Sequence, residues 1–388
     1  MDASQMNKSV VSAKTLAALL FACLPVTVYA QLRFSGYLVE LPAYQRVNSR
    51  LSTLLQTEQD QASNLLRVRL RPVVSLWFGA EVSLEHEFDA LFQSASSVLS
   101  ELPLRRRQAF DLRWDVVTEN HFQLTHFVDR LYLRQDFSSA SLVVGRQRIA
   151  WGTGRIWNPT DLFNPINPAN YSKVEKDGAD AISFKYYAGN FTDLELVVNP
   201  EKKFQQWNYG ARLRTNLSEF DFSAMGGSFE KGFVLGGDFA GNLFDAGVRG
   251  EMLYAENPAG DRFVRFILGA DYQVSSRLYC LIEYQHNGEG TTDIEQYDIG
   301  AVIGGRTLNV GKDYLFATMA YQIHPLVSLS VGANINLIDG SGFLSPVGSY
   351  SVSSNIVLSF GGLLAYGGMG TEYWYYPLSV YARTEWFF

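Results

Sequence analysis

Cysteine and long apolar runs are both scarce in this 388-residue chain. Two cysteines, Cys23 and Cys280, cannot build a disulfide scaffold or a multi-cysteine zinc site. After residue 30 no stretch of 18 consecutive apolar residues occurs, so we predict no membrane-spanning helix. A net charge of -7 gives no support for nucleic-acid binding. With 18% charged and 14% aromatic residues, the composition also excludes a disordered chain.

The local patterns on which enzymes and cofactor sites depend are missing as well. No serine stands in a Gly-x-Ser-x-Gly pattern, and no glycine-rich stretch has the strand-to-helix context of a phosphate loop. His121 and His126 share a segment but have no carboxylate or cysteine at metal-ligand spacing. We therefore expect no enzymatic activity, no catalytic residues, no metal site and no cofactor. The acidic stretch 288–298 leaves Ca²⁺ binding open, although a solvated loop is favoured.

Residues 1–30 have the organisation of a secretory signal peptide. Lys8 and Lys14 precede an apolar run from Thr15 to Val28, and small residues end at Ala30. The run is about 14 residues, shorter than the roughly 20 that a spanning helix needs. A lipidated Cys23 is the alternative, disfavoured because the nearby cleavage site contains a bulky phenylalanine. We expect export through a cleaved signal peptide.

Apolar residues at every second position dominate the remaining chain. Stretches 78–85, 264–274, 327–337 and 378–388 place apolar residues on one face and mostly polar or small residues on the other. Alternating strands of about ten residues are what a membrane barrel needs, because closure pairs every backbone group. Aromatic residues at strand ends weigh against a soluble β-sandwich or β-helix. We predict an all-β fold, a transmembrane antiparallel β-barrel.

Short and long connections alternate along this pattern. Short links such as 137–140 and 274–276 lie between longer polar links such as 200–205 and 287–312. Short periplasmic turns and long outer loops are typical of such barrels. This parity predicts about 18 strands, with roughly 16 to 20 left open, in one domain over 31–388. The stretch 94–124 is interpreted as one long outer loop, with a strand at Phe110–Val117 as the alternative.

Two segments resemble Gram-negative outer-membrane proteins. The alternating final strand, with Trp386 and Phe388, is similar to the assembly signal that such barrels present to the barrel-insertion machinery. The run 129–178, with Val144-Gly-Arg-Gln-Arg-Ile-Ala-Trp-Gly and Trp157-Asn-Pro-Thr-Asp, resembles porin-like barrels of proteobacteria. The resemblance implies a channel or uptake barrel among outer-membrane lipids, and it names no solute.

Charged residues on the polar faces of the strands are the candidates for lining a pore. Arginine facing lipid at the midplane would cost roughly 2–4 kcal/mol, so an inward orientation is expected. The functional interpretation is a cationic ladder that guides anions or polar solutes, and the alternative is ion pairing that stiffens the wall. The candidate pore-lining residues are Arg67, Arg69, Arg71, Glu81, Glu85, Arg130, Arg134, Arg146, Arg148, Arg249 and Glu251.

The segment 152–177 is too apolar for a freely solvated loop. Three Asn-Pro pairs, beginning with Asn158-Pro159, prevent strand pairing and fix successive turns. Trp157 and its apolar neighbours should pack onto something. We predict an inward-folding constriction loop with Arg155 and Asp161 at the eyelet. An outer lid on neighbouring loops is the alternative.

The favoured hypothesis is a porin-like channel for small polar or anionic solutes across the bacterial outer membrane. The runner-up is a non-conducting barrel that acts as an adhesin or a scaffold. A lipase-like barrel needs an outward Ser–His pair, which is not apparent. Whether the protein is a monomer or a homo-oligomer is left open.

Overall fold

The structure is a computed structural model. It describes residues 31–94, 107–164, 175–257, 259–303 and 307–388. The predicted signal peptide, part of the predicted outer loop 94–124 and residues 165–174 of the predicted constriction loop lie outside this range. In the described part, no helix is long and apolar enough to cross a membrane.

The described secondary structure consists of nineteen strands, two short α-helices and three single-turn 3₁₀ helices. Helix α1 is Ser49–Leu55 and helix α2 is Ile299–Ile303. The strands are β1 (Gln31–Arg46), β2 (Asp60–Trp77), β3 (Ala80–Gln93), β4 (Arg113–Thr118), β5 (Phe122–Asp136), β6 (Ala140–Gln147), β7 (Ala179–Tyr187), β8 (Asp193–Asn199), β9 (Asn208–Leu217), β10 (Phe220–Phe229), β11 (Gly232–Leu243), β12 (Ala246–Glu256), β13 (Arg262–Gln273), β14 (Leu278–Asn287), β15 (Asp313–His324), β16 (Val327–Asn336), β17 (Gly342–Ser353), β18 (Ile356–Tyr366) and β19 (Leu378–Phe387).

All strand pairs are antiparallel, and the sheet closes on itself where β1 pairs with β19. Tyr37 lies opposite Phe387, and the backbones of Gly36 and Phe388 exchange hydrogen bonds of 2.9 and 3.0 Å. Eighteen strands form the closed wall and β4 is an addition to it, which confirms the predicted barrel of about 18 strands. The final aromatic residues therefore lie at the seam of closure.

The favoured interpretation of 94–124 as one long outer loop is wrong in part, because the stretch contains strand β4. Strand β4 pairs with the first half of β5, where Arg113 lies opposite Phe127. Strand β6 pairs along the same edge with the second half, where Leu131 lies opposite Arg146. The other edge of β5 belongs to β3. Residues 113–118 thus continue the wall beyond the point where β6 ends.

Arg146 closes the junction between these pieces. Its guanidinium binds Asp180 of β7 at 2.8 Å and donates to the carbonyl groups of Val128 at 2.9 Å and Phe110 at 2.5 Å. The Asp180 amide in turn donates to the carbonyl of Arg107 at 3.0 Å. Arg146 is 2% exposed, so it lies within the wall. This differs from the predicted pore-lining position.

The two faces of the wall differ in chemistry. Outward positions such as Leu131, Leu133, Ile182 and Leu268 are apolar and 40 to 55% exposed. Inward positions carry most of the buried charged residues. Successive residues of a strand point to opposite faces, so the sequence alternation translates directly into an apolar exterior and a polar interior.

Closure at the β1–β19 seam requires a glycine at position 36. A Cβ there would lie 2.7 Å from the ring of Phe388 and closer still to the Arg69 carbonyl. We expect Gly36→Ala to destabilise the barrel by about 1–3 kcal/mol, as overpacking does. Heat-modifiable gel mobility across a temperature series measures this. Gly226→Ala is the control, since its Cβ would meet only atoms at 3.5 Å or beyond; equal losses in both variants would contradict the account.

The Arg146–Asp180 pair between β6 and β7 should matter far more than an exposed pair on the neighbouring strand β5. Arg146→Ala leaves Asp180 buried without its partner, so we expect a loss of about 3–5 kcal/mol. The control is Arg134→Ala, because Arg134 and Asp136 are 43% and 44% exposed, and a loss below about 1 kcal/mol is expected. Urea unfolding of the purified barrel measures both. Similar unfolding midpoints would show that Arg146 does not hold the wall together.

Candidate functional site

After β6 the chain leaves the wall and crosses the interior of the barrel. We call residues 148–164 the inner segment. Glu251 on β12 holds its first part: one carboxylate oxygen accepts from the amides of Thr153 and Gly154, both at 2.5 Å. The other accepts from Thr160, through its amide at 3.2 Å and its hydroxyl at 2.8 Å. Glu251 is 3% exposed, so it anchors this segment and does not line an open lumen.

Glu283 on β14 holds the tip of the inner segment in the same way. Its carboxylate accepts from the amides of Arg155 at 2.9 Å, Ile156 at 3.2 Å and Trp157 at 2.7 Å. Glu283 is 1% exposed. Charged acceptors form the stronger hydrogen bonds, so three consecutive amides are fixed by one side chain.

A third buried glutamate, Glu195 on β8, fixes the start of the inner segment. It accepts from the indole N–H of Trp151 at 3.0 Å and pairs with Arg212 at 3.2 Å. Trp151 packs edge-on against Phe163, with ring centroids 5.1 Å apart, and Phe163 packs on Phe229 of β10. These rings belong to the largest apolar cluster inside the described barrel. The segment is therefore bound through polar anchors and an apolar core.

Asp161 is 3% exposed and turned back into the inner segment. It pairs with Lys176 at 2.5 Å and accepts from the Asn164 amide at 3.2 Å. Burial raises the pKa of Asp161 to about 6, against the opposing effect of Lys176. Its internal partners and its burial exclude the predicted position at an open eyelet.

The other predicted constriction residues divide into buried and exposed positions. Trp157 is 4% exposed and faces Tyr314 of β15, with ring centroids 6.1 Å apart. Pro159 is buried and Asn158 is half-buried, while the Arg155 side chain is exposed. Arg148 is also exposed; it follows the end of β6 and so lies on the inner segment, not on the strand as predicted.

Four of the eight predicted pore-lining arginines, Arg67, Arg69, Arg71 and Arg130, belong to one largely buried ion-pair network. Arg67 pairs with Glu87 at 3.0 Å and with Asp89 at 2.9 Å. Arg69 pairs with Glu85 at 2.7 Å, with Glu87 at 2.9 Å and with Asp129. Arg67 and Arg69 are 6% and 3% exposed. The inner face of β2, β3 and β5 thus matches the ion-pairing alternative.

Glu175 ties this network to the chain that returns from the interior. It pairs with Arg71 and lies 3.5 Å from Arg130, which also binds Glu85 at 2.9 Å. Burial works to raise the pKa of Glu175, but the guanidinium groups of Arg69, Arg71 and Arg130 outweigh it and hold the pKa below its usual range. The network therefore joins three strands and the re-entry point before β7.

The remaining predicted pore-lining residues also have partners. Glu81 pairs with Arg33 at 2.9 Å, towards the end of the barrel where the short turns lie. Arg134 pairs with Asp136 at 2.9 Å near the same end. Arg249 is 8% exposed and pairs with Asp271 of β13.

A neutral stretch of the inner wall lies on three strands that β19 and β1 separate from the ion-pair network. Strands β16, β17 and β18, which the structure describes in full, contain no charged residue. From the short turns to the middle of these strands, the inward serines are exposed or half-buried, namely Ser328, Ser330, Ser345, Ser349 and Ser351. Towards the other end the inward residues are larger and buried: Phe343 and Leu363 pack with Tyr373, and Asn336 binds the buried Glu372. The interior therefore has a charged, filled side and a neutral side, where the side chains between the short turns and the middle of the strands are short.

Glu195 and Glu283 were missed by the sequence reasoning. Both occupy inward positions of alternating strands, so the pattern places them on the correct face without naming their partners. A usable signal lies in the segment itself: Gly152-Thr-Gly-Arg-Ile-Trp cannot pair as a strand inside the barrel, and its amides need acceptors. Isolated inward carboxylates are the groups that meet this need.

No protein-family model matches the chain, and no curated protein matches its sequence. Solved structures similar to it include a triple mutant of the Rhodopseudomonas blastica porin. That likeness has a TM-score of 0.48 and 8% identity, and covers 92% of this chain and 100% of the porin. A low-pH structure of Pseudomonas putida OprB has a TM-score of 0.47 and 10% identity, covering 92% of each chain. At these scores and identities, neither likeness bears on what this chain does.

Removing the Glu251 carboxylate should release the inner segment without opening the wall. Glu251→Ala leaves the amides of Thr153, Gly154 and Thr160 without acceptors, at about 1–3 kcal/mol each. We expect at least about tenfold faster hydrogen exchange at these amides, since 1.4 kcal/mol corresponds to a factor of ten. Glu385→Ala is the control, because Glu385 pairs with Arg383 at 2.8 Å on β19, which is none of the strands that hold the segment. Unchanged exchange in Glu251→Ala would refute the anchoring.

Proposed function

We propose that the protein is an outer-membrane channel through which small polar solutes diffuse. The observation that carries this proposal is the asymmetry of the barrel interior. The inner segment is bound to β8, β12 and β14 by three buried carboxylates, whereas the inward serines of β16 and β17 stay partly exposed. A passage between the inner segment and this neutral side accounts for both features.

The neutral side is suited to hydrated solutes. Short hydroxyl side chains leave width, offer hydrogen bonds and create no strong field of either sign. A barrel of this size has room for an aqueous path, whereas eight-stranded barrels are filled by side chains. The apolar exterior fits the hydrocarbon of a membrane. The inner segment would then set the narrowest point of the passage.

Selectivity in this proposal comes from two exposed arginines. Arg148 lies close enough to interact with Asp161, and Arg155 with Arg249, so both are in the interior. The network arginines contribute little because neighbouring carboxylates compensate their charge. We therefore propose a weak preference for anions, carried by Arg148 and Arg155 and not by the ladder along β5 and β6.

Single-channel recording in a planar bilayer under a salt gradient tests the proposal. We expect discrete steps and a weak anion preference for the wild type. Arg148→Glu combined with Arg155→Glu should move the reversal potential towards cations, because it reverses the exposed charge beside the passage.

Arg262→Glu is the control, since Arg262 is an exposed residue at a strand end, paired with Glu256 at 3.2 Å. Its reversal potential should equal that of the wild type. Silence from protein shown to be folded by heat-modifiable mobility would refute the channel. Conductance with an unchanged reversal potential in the double variant would remove Arg148 and Arg155 from the passage.

A further inference from the structure

Four polar side chains interrupt the apolar exterior of the barrel on neighbouring strands. We call Glu40, Asn64, His86 and His126 the outer polar patch. They lie on β1, β2, β3 and β5, which are consecutive in the wall. We leave out the two residues at each end of every strand. At the other described outward positions, no further charged, amide or imidazole side chain occurs. The patch is thus a local feature and not a general property of the exterior.

The position of the patch along the strands makes it unusual. Glu40 stands between the outward residues Leu38 and Pro42, and His86 stands between Leu84 and Phe88. Exposed rings of Phe34 and Tyr44 mark the two ends of the outward row on β1. The polar groups therefore lie inside the apolar belt and not at its rims.

The patch offers hydrogen-bonding groups of both kinds. The exposed carboxylate of Glu40 is 3.4 Å from the Asn64 amide. His86 and His126 share one hydrogen bond of 3.0 Å between ring nitrogens, and Phe88 and Trp114 stack on His126 at 5.6 and 4.9 Å. An acceptor thus lies on β1, and imidazole nitrogens that can donate lie on β3 and β5.

We propose that the outer polar patch is the interface with a second copy of this chain. The proposal rests on the proposed function only in taking the apolar belt as lipid-facing. Hydrocarbon supplies no partner for a carboxylate or an imidazole, so such groups in the belt are expected to face protein. A second copy supplies what is missing: in a two-fold contact, Glu40 of each copy meets the imidazole pair of the other.

Cysteine cross-linking in native membranes tests the interface. In a Cys280→Ser background, Asn64→Cys places one thiol in the patch beside Glu40. A short bifunctional maleimide should link two chains and give a dimer band. Ile282→Cys is the matched control, because Ile282 is an equally outward residue, 48% exposed, on β14. No dimer from Asn64→Cys, or equal dimer from both positions, would overturn the proposal.

The mass of the purified protein in mild detergent gives a second, independent readout. Wild type should have a multiple of the monomer mass. A variant with Glu40→Leu, His86→Leu and His126→Leu should fall to the monomer while keeping heat-modifiable mobility. A monomeric wild type, or a triple variant with wild-type mass, would overturn the proposal. If the triple variant does not fold, Glu40→Gln alone is used, and at least a tenfold weaker association is expected.

Conductance separates this proposal from the proposed function. A dissociated but folded variant should still conduct, in single steps and not in grouped ones. Cross-linking without conductance would support the interface and refute the channel. Conductance without cross-linking would support the channel and refute the interface.

Discussion

A barrel wall in hydrocarbon cannot leave backbone hydrogen-bonding groups unpaired, and this constraint governs where the chain goes. When β6 stops at Gln147 and the chain turns inward, the edges of β5 and β7 lose their neighbour. Residues 107–118 take that place, with the Val128 amide donating to Leu112 and the Asp180 amide to Arg107. Because the chain leaves the wall after β6, residues 107–118 must pair with the exposed strand edges. Arg146 completes this pairing by donating to the carbonyl groups of Val128 and Phe110.

The same requirement explains the buried carboxylates of the interior. Glu195, Glu251 and Glu283 accept from the inner segment, whose amides have no strand partner. Glutamate side chains hold the inner segment. On β2, β3 and β5, arginines form ion pairs with aspartates and glutamates. A buried charge without a partner is far costlier than a pair, so inward charges are neutralised in place. The exposed charges Arg148 and Arg155 are exceptions, and they lie where the chain is no longer a strand.

Periodicity predicts the barrel because one face of every strand must be apolar, and this requirement is local. Side-chain direction fails to follow from it where a charged residue is assumed to face the lumen. Arg146 has the same parity as the outward residue Val144 and lies opposite the outward Leu131 and its partner Asp180, so the assumption that an arginine faces inward misplaces it. The partners of Glu251 and Glu283 are about 100 residues away in sequence, beyond the reach of any period. Apolar content does indicate that the segment packs inside, but the residues that receive it come from tertiary structure.

One sector of the wall combines the features that an interface requires. Strands β1, β2, β3 and β5 have 16, 18, 14 and 15 residues, whereas the other wall strands have 7 to 12. Their inner faces carry the ion-pair network around Arg69, and their outer faces carry the outer polar patch. Ion pairs across strands oppose shear and bending of the wall behind the patch. A long, stiff surface loses little conformational freedom on association, and therefore polar groups that are costly in lipid can be retained there.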